Sequence, residues 1–357
     1  QISLAALVYE RLKRDYAAND DAPFKLNDVL GADGVRVFTS RSGRGLDVEI
    51  SGLFTYRGFY ERYQVESKAL VKGIQQEDWV LGIDKGKSRL SRQEMDNLEA
   101  SLRDLYIKDY IREWDQMLQD LDVVKIRNIS QAIEVADILS SANSPLRRLL
   151  QTVARNTALN KLPEGIPEGA DVALKEASKR TVEQSRYSRL ITAGKKVLDK
   201  RATKPPGDAV HQHFARLNKL SEASSGAAPI ERVINLLSEL NGYFYSIQED
   251  VGSRSVAAIS SQGEGAALLK KLRTESSRYP QPVKRWLKLI GGGSRNVAVG
   301  GARSQLAKVW SENVAALCRK SIKGRYPFDT RSQTEVNLRD FGAIFGVGGV
   351  IEQYFQE

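Results

Sequence analysis

Cysteine is nearly absent from this chain of 357 residues: Cys318 is the only one, so no internal disulfide can form. It falls on the apolar side of a helical pattern, where a thiol reads as a small buried hydrophobe rather than a nucleophile. A single cysteine does not separate cytosol from periplasm. Histidine is almost as scarce, at two residues. They stand as His211-x-His213, and side chains two apart on a helix point roughly 200° from each other, so both imidazoles do not readily reach one ion. No metal site is expected there. No apolar run approaches the ~20 residues that span a bilayer. Gln1 opens without methionine, directly in a helical pattern and with no leader-like segment. Both ends read as cut, and the chain as a fragment of something longer.

Nucleotide-binding signals are missing too. Gly263-x-Gly265 lacks the third glycine and the preceding strand of a dinucleotide fingerprint. Gly291-Gly292-Gly293 and Gly300-Gly301 are not followed by Lys-Ser/Thr, so they form no phosphate loop, and they read as a flexible link. No serine stands in a nucleophile elbow and no ligand spacing is credible. The expectation is no catalysis and no cofactor.

What is present is a globular composition: 41% hydrophobic, 27% charged, net charge +10. The fold class expected is mainly α, a multi-helix array in two or three subdomains with one small β-hairpin near the N-terminus. Ile2 to Tyr16 gives an amphipathic opening helix. Val35–Phe38 and Leu46–Ile50 alternate apolar and polar residues, which predicts a hairpin over 35–50. Thr55 is placed to cap a following helix, and Phe54, Tyr56, Phe59, Tyr60 and Tyr63 are expected in its core rather than around a ligand. Ser91 to Leu121 is the strongest helix. Leu98, Leu102, Leu105, Tyr106, Asp109, Tyr110, Glu113, Trp114, Met117, Leu118 and Leu121 trace one stripe at 3.6-residue spacing. Asp109 and Glu113 lie on or beside it, and a hydrogen bond to a buried tyrosine or indole is expected there rather than acid–base work.

Asn143-Ser144-Pro145 starts another helix, with a cap residue before a first-turn proline, and Pro229 opens a further one. Residues 174–204 hold ten Lys/Arg against three Asp/Glu, a local net of +7. Lys179, Arg180, Lys195, Lys196, Lys200 and Arg201 are candidates there for electrostatic contact with phosphates or acidic partners. Near the C-terminus, a helix through Trp310 and Cys318 ends at Gly324 and Pro327. A short aromatic segment, a glycine turn at Gly346–Gly349 and a second helix follow.

These motifs carry a resemblance. Gly52, Thr55, Tyr56 and Gly58 lie in one decapeptide, and Tyr106-x-x-Asp109-Tyr110-x-x-x-Trp114 follows. Then come Ser144-Pro145-Leu146, Trp310-Ser311-Glu312-Asn313-Val314, Cys318, Gly324-Arg325-Tyr326-Pro327-Phe328, Asp340-Phe341, and Phe345-Gly346-x-Gly348-Gly349. Their order and spacing resemble the IcmF-related family of type VI secretion membrane subunits. The resemblance implies that these are structural residues of a helical periplasmic region. It implies self-association into a homo-oligomer, contact with the lipoprotein TssJ mainly through a following domain, and the inner-membrane protein TssL as a neighbour.

The division expected is 1–162, a helical domain with the hairpin; 163–207, a Pro/Gly linker and basic helix; 208–300, a middle helical domain; and 301–357, a helical segment leading into a missing domain. The alternative reading is a basic helical nucleic-acid-binding protein using 174–204 and 284–303. No binding module is readable for it, so no nucleic acid is expected.

Overall fold

The computed structural model describes residues 3–18, 22–74, 90–161, 207–223, 226–249 and 264–356. The chain is mainly α, as its sequence predicts, with a few short strands. It divides into two compact units. The first comprises Gln1–Val124, Ala142–Arg232 and Tyr279–Pro282; the second comprises Lys125–Ser141, Val233–Arg278 and Val283–Glu357.

In the first unit α1 (Leu4–Ala17) packs on α5 (Arg92–Asp120). Ser3 caps α1 by accepting the Ala6 N–H. A reciprocal Ser91/Glu94 capping box starts α5, satisfying amide donors that the first turn leaves without partners. Most of the α5 stripe is buried as its spacing predicts: Leu98, Leu102, Tyr106, Tyr110, Trp114, Met117, Leu118 and Leu121 are in the core, while Leu105 and Glu113 at its edge are half-buried. Between α1 and α5 lie β1 (Phe24–Lys25), α2 (Leu26–Leu30), α3 (Gly34–Val37), β2 (Phe38–Ser40) and β3 (Glu49–Ile50). A 3-10 turn (Gly52–Phe54), a π-helical turn (Gly58–Tyr63) and α4 (Gln64–Ile74) complete that stretch.

The hairpin expected over 35–50 does not form. Val35–Val37 is helical, and the two strands there do not pair with each other. Instead β2 runs antiparallel to β4 (Leu121–Val123), Phe38 opposite Val123, while β3 pairs with β1, Phe24 opposite Ile50. Alternation tells which side of a strand is apolar, not which strand lies beside it. The partner is set at the end of α5. The Asp120 carboxylate accepts from Ser40 Oγ at 2.8 Å, Ser42 Oγ at 2.8 Å and the Ser42 N–H at 2.7 Å, tying the end of β2 to the helix that precedes β4.

Pro145 opens α7 (Pro145–Thr157) at its first turn with Ser144 as cap. Helix α8 (Asp208–Asn218) packs on α7, where the Thr157 hydroxyl donates to Asn218 Oδ1 at 2.9 Å in the core. Arg147 reaches the first turn of α9 (Pro229–Glu249) as a fork, with Nε and Nη2 each 2.8 Å from a Glu231 oxygen. Planar bidentate geometry makes this a strong kind of ion pair. The Arg147 guanidinium holds the Glu231 carboxyl below its ordinary range. A depressed folded-state pKa gives stability that is present above the unfolded carboxylate pKa and is lost as pH falls through the folded one. Glu231→Gln should therefore flatten part of the stability loss on acidification below about pH 4.5. Parallel urea titrations at pH 6 and pH 3.5 check this. Equal pH dependence in both proteins would remove the claim.

In the second unit α6 (Ile129–Ser140) packs against α11 (Val283–Val309), which forms a helical pair with α10 (Glu264–Arg278). The glycines at 291–293 and 300–301, expected as a link, lie inside α11. Glycine lowers helix propensity by only about 1 kcal/mol, which surrounding packing overrides. Gly293 lies against the Ile126 side chain, so one of the three is a close approach. A π-helical turn (Trp310–Ala315) and α12 (Ala316–Ser321) continue α11; α13 (Leu338–Phe345) and α14 (Val350–Gln356) follow. In sequence, 338–345 reads as a short aromatic segment. It is helical because the Asn337 side chain caps it, accepting the Arg339 N–H at 2.8 Å.

Candidate interaction surface

The first group of motif residues forms a clamp of aromatic side chains on two backbone turns. The carbonyls of the 3-10 turn at 52–54 are each taken by a side chain. Thr55 Oγ1 donates to Gly52 O at 2.7 Å, Tyr106 to Leu53 O at 2.7 Å, and the Trp114 indole to Phe54 O at 2.8 Å. Thr55 Oγ1 also accepts the Gly58 N–H at 3.1 Å, so it does cap the helix that follows. The second turn follows α7. Tyr110 donates to Asn156 O at 2.5 Å, Tyr60 to Leu159 O at 2.6 Å and Tyr56 to Lys161 O at 2.8 Å. The Tyr56 N–H reaches Asn156 Oδ1 at 3.1 Å.

The rings between the turns pack face to face and edge to face, with Tyr63 and Tyr106 stacked at 3.7 Å between centroids. Burial pushes the Tyr60 phenol up to about 12 and raises Tyr63, Tyr106 and Tyr110 further. All four are neutral donors at physiological pH, with their hydroxyls committed to backbone or buried among rings. This chemistry holds turns together.

Asp109 is buried and charge-paired. Tyr9 donates to its Oδ2 at 3.0 Å, while Arg112 and Lys13 approach at 2.7 and 3.5 Å. The expected tyrosine partner is there, but no sequence signal pointed to Tyr9, which lies 100 residues away. Glu113 pairs with Arg112 at the surface. His213 turns to Asp115 at 2.8 Å, and His211 keeps Nδ1 buried without a partner. The two imidazoles are not brought together. Among the described residues no group of three or more His, Cys, Asp and Glu is arranged to hold a metal.

The second group of motif residues lies at the C-terminal end of the second unit and is largely at the surface. Gly324 has φ +73° and the Tyr326–Pro327 peptide is cis. The Tyr326 N–H donates to Thr334 O and its carbonyl accepts from Val336 N–H, closing the loop at 326–336. Gly348 has φ +74°, and a Cβ on Gly349 would meet three carbonyl oxygens at 2.8–3.1 Å, so the turn before α14 selects glycine twice. Gly346 is equally confined, against the Gly342 carbonyl. Cys318, expected buried, is half-exposed, because its helix packs through Val314, Ser321 and Ile322 instead.

The apolar side of this segment is only partly covered. Eight of the thirteen large exposed hydrophobics among the described residues lie here: Trp310, Tyr326, Phe328, Leu338, Phe341, Phe345, Val347 and Phe355. Phe328, Phe341 and Phe345 are 51, 41 and 46% exposed and still form one ring cluster, with centroids 5.0–6.3 Å apart. Grouped apolar surface of this kind marks a place for another surface to rest. Lys179, Arg180, Lys195, Lys196, Lys200 and Arg201 lie outside the described residues.

The described residues thus define a class by fold, a mainly helical chain whose buried polar side chains brace turns and whose C-terminal rings are grouped outward. Residues 1–158 match the IcmF-related family, described as intracellular multiplication and human macrophage-killing. The chain is 32% identical over 360 residues to the type VI secretion system component TssM1 of Pseudomonas aeruginosa (strain PAO1), covering 100% of this chain and 32% of the relative. The chain thus spans about a third of the length of that curated relative. In fold it is similar to a solved chain of a type VI secretion system membrane core complex, with a TM-score of 0.63 at 14% identity, over 100% of this chain and 62% of that one. Over residues 1–158 the match is thus to the IcmF-related family, and along its whole length the chain is similar to a TssM component. Among the described residues no helix is long and apolar enough to cross a membrane.

Proposed function

We propose that this chain is a scaffold part of a type VI secretion membrane complex, with no catalytic role. The observation that carries the reading is the 32% identity to TssM1 over the whole chain. The geometry fits the scaffold part of this reading, because Tyr60, Tyr106, Tyr110 and Trp114 use their polar atoms to brace turns. In finer detail, the chain is a periplasmic helical portion of an inner-membrane-anchored subunit, self-associating and working beside TssJ and TssL. TssJ contact runs mainly through a domain that residues 301–357 lead into. The motif residues Gly52, Thr55, Gly58, Tyr106, Tyr110 and Trp114 keep the array rigid. Phe328, Phe341 and Phe345 supply apolar contact area for a neighbouring part of the assembly.

The test is Phe328→Ser/Phe341→Ser/Phe345→Ser in the complete subunit. These side chains are half-exposed, so the melting temperature of the chain should change little. Co-purification of the membrane complex should fall about tenfold or more, the scale expected for losing clustered aromatic anchors. Full assembly by the triple variant would overturn this role for the ring cluster.

A further inference from the structure

The helical pair α10–α11 is strongly cationic at its connected end. Residues 270–288 carry seven Lys/Arg and one Asp/Glu, a net of +6 over nineteen residues. The one acid, Glu275, is already paired with Arg278 at 2.8 Å. Lys270, Lys271, Arg273 and Lys288 are exposed and Lys284 is half-exposed, and none of the five makes an ion pair among the described residues. On α6, which packs against α11, the acids Asp137 and Glu134 both have polar partners. On the buried side, Leu268, Leu272, Trp286, Leu287 and Ile290 fix both helices, so the cations are held on an ordered surface.

Composition selects the kind of partner. Protein interfaces are depleted in lysine and anchored by aromatic residues and arginine. Here four of the five unpaired cations are lysine, and Leu289 is the large exposed apolar side chain beside them. Lysine is a compact, strongly hydrated point charge without the fork that reads one phosphate bidentately. Such a cluster suits a diffuse layer of negative charge, and four to eight Lys/Arg together is the size that binds anionic lipid.

We propose that the exposed cations at the connected end of α10 and α11 rest on anionic lipid headgroups, as a peripheral electrostatic contact without insertion. The inference stands apart from the secretion reading, since it needs only a bilayer and this chain.

The experiment is co-sedimentation of the whole chain with vesicles of phosphatidylcholine alone or mixed with phosphatidylglycerol. The wild-type chain should bind only the mixed vesicles and be released at high salt, where the Debye length shrinks to about 3 Å. Lys270→Gln/Lys271→Gln/Arg273→Gln/Lys284→Gln/Lys288→Gln should lose about 1,000-fold or more in affinity. Lys195→Gln/Lys196→Gln/Lys200→Gln, in the other basic segment, should keep most of it. A charge-retaining set, Lys270→Arg/Lys271→Arg/Lys284→Arg/Lys288→Arg, should bind as wild type, which separates loss of charge from loss of fold. Four results overturn the proposal. These are no wild-type binding to mixed vesicles, equal binding to neutral ones, undiminished binding by the five-fold Gln variant, or tighter retention on duplex DNA or polyglutamate than on the anionic vesicles.

Discussion

Trp114→Ala should lower the unfolding free energy of the first unit by about 3–5 kcal/mol, near the top of the range for a single substitution. The indole is fully buried, packs 4.8 Å from the Phe24 ring, and donates to the Phe54 carbonyl. Truncation opens a cavity and leaves that buried carbonyl without its donor. Trp114→Phe separates the two effects. It keeps much of the apolar volume and loses the hydrogen bond, so it should cost about 1–3 kcal/mol. Urea unfolding followed by far-UV circular dichroism measures both. A loss below about 1 kcal/mol for Trp114→Ala would show that the clamp does not hold the unit together.

Gly58→Ala should be nearly as damaging, by about 1–3 kcal/mol or more. A methyl group there runs into the Gly52 carbonyl oxygen, with the Leu53 carbonyl oxygen 2.7 Å away. Both atoms are backbone, and both turn carbonyls already accept side-chain donors, so neither can give way without breaking a bond of the clamp. Gly242→Ala is the control. Gly242 lies within α9, exposed, with nothing within 4 Å of a new Cβ, so alanine should stabilise by up to about 1 kcal/mol through helix propensity. Opposite signs for the same chemical change would tie the cost at 58 to the close approach of the 52–54 turn. Equal effects would refute it.

Much of the fold was legible because its signals are local. The α5 stripe repeats every three or four residues, and Ser144-Pro145 and Pro229 mark helix starts within a single turn. The family resemblance was legible for a similar reason, since it rests on short runs of rare residue types in fixed order. The clamp was half visible. Phe54, Phe59, Tyr60, Tyr63, Tyr106 and Tyr110 could be placed in the core by spacing. Which carbonyl each hydroxyl meets could not, because Tyr110 to Asn156 and Tyr60 to Leu159 cross 46 and 99 residues.

The sequence by itself determined that this chain is a helical array, where its main helices begin, and which family it resembles. Tertiary structure alone decided that β2 pairs with β4, that Asp109 takes Tyr9, and that the glycines of 291–301 stay helical. It also decided which apolar residues remain outside. Trp310 and Phe341 carry the same periodic signal as buried positions, yet stand 38 and 41% exposed. Periodicity marks the apolar side of an element within a few residues. Whether another surface covers that side depends on packing between segments far apart in the chain.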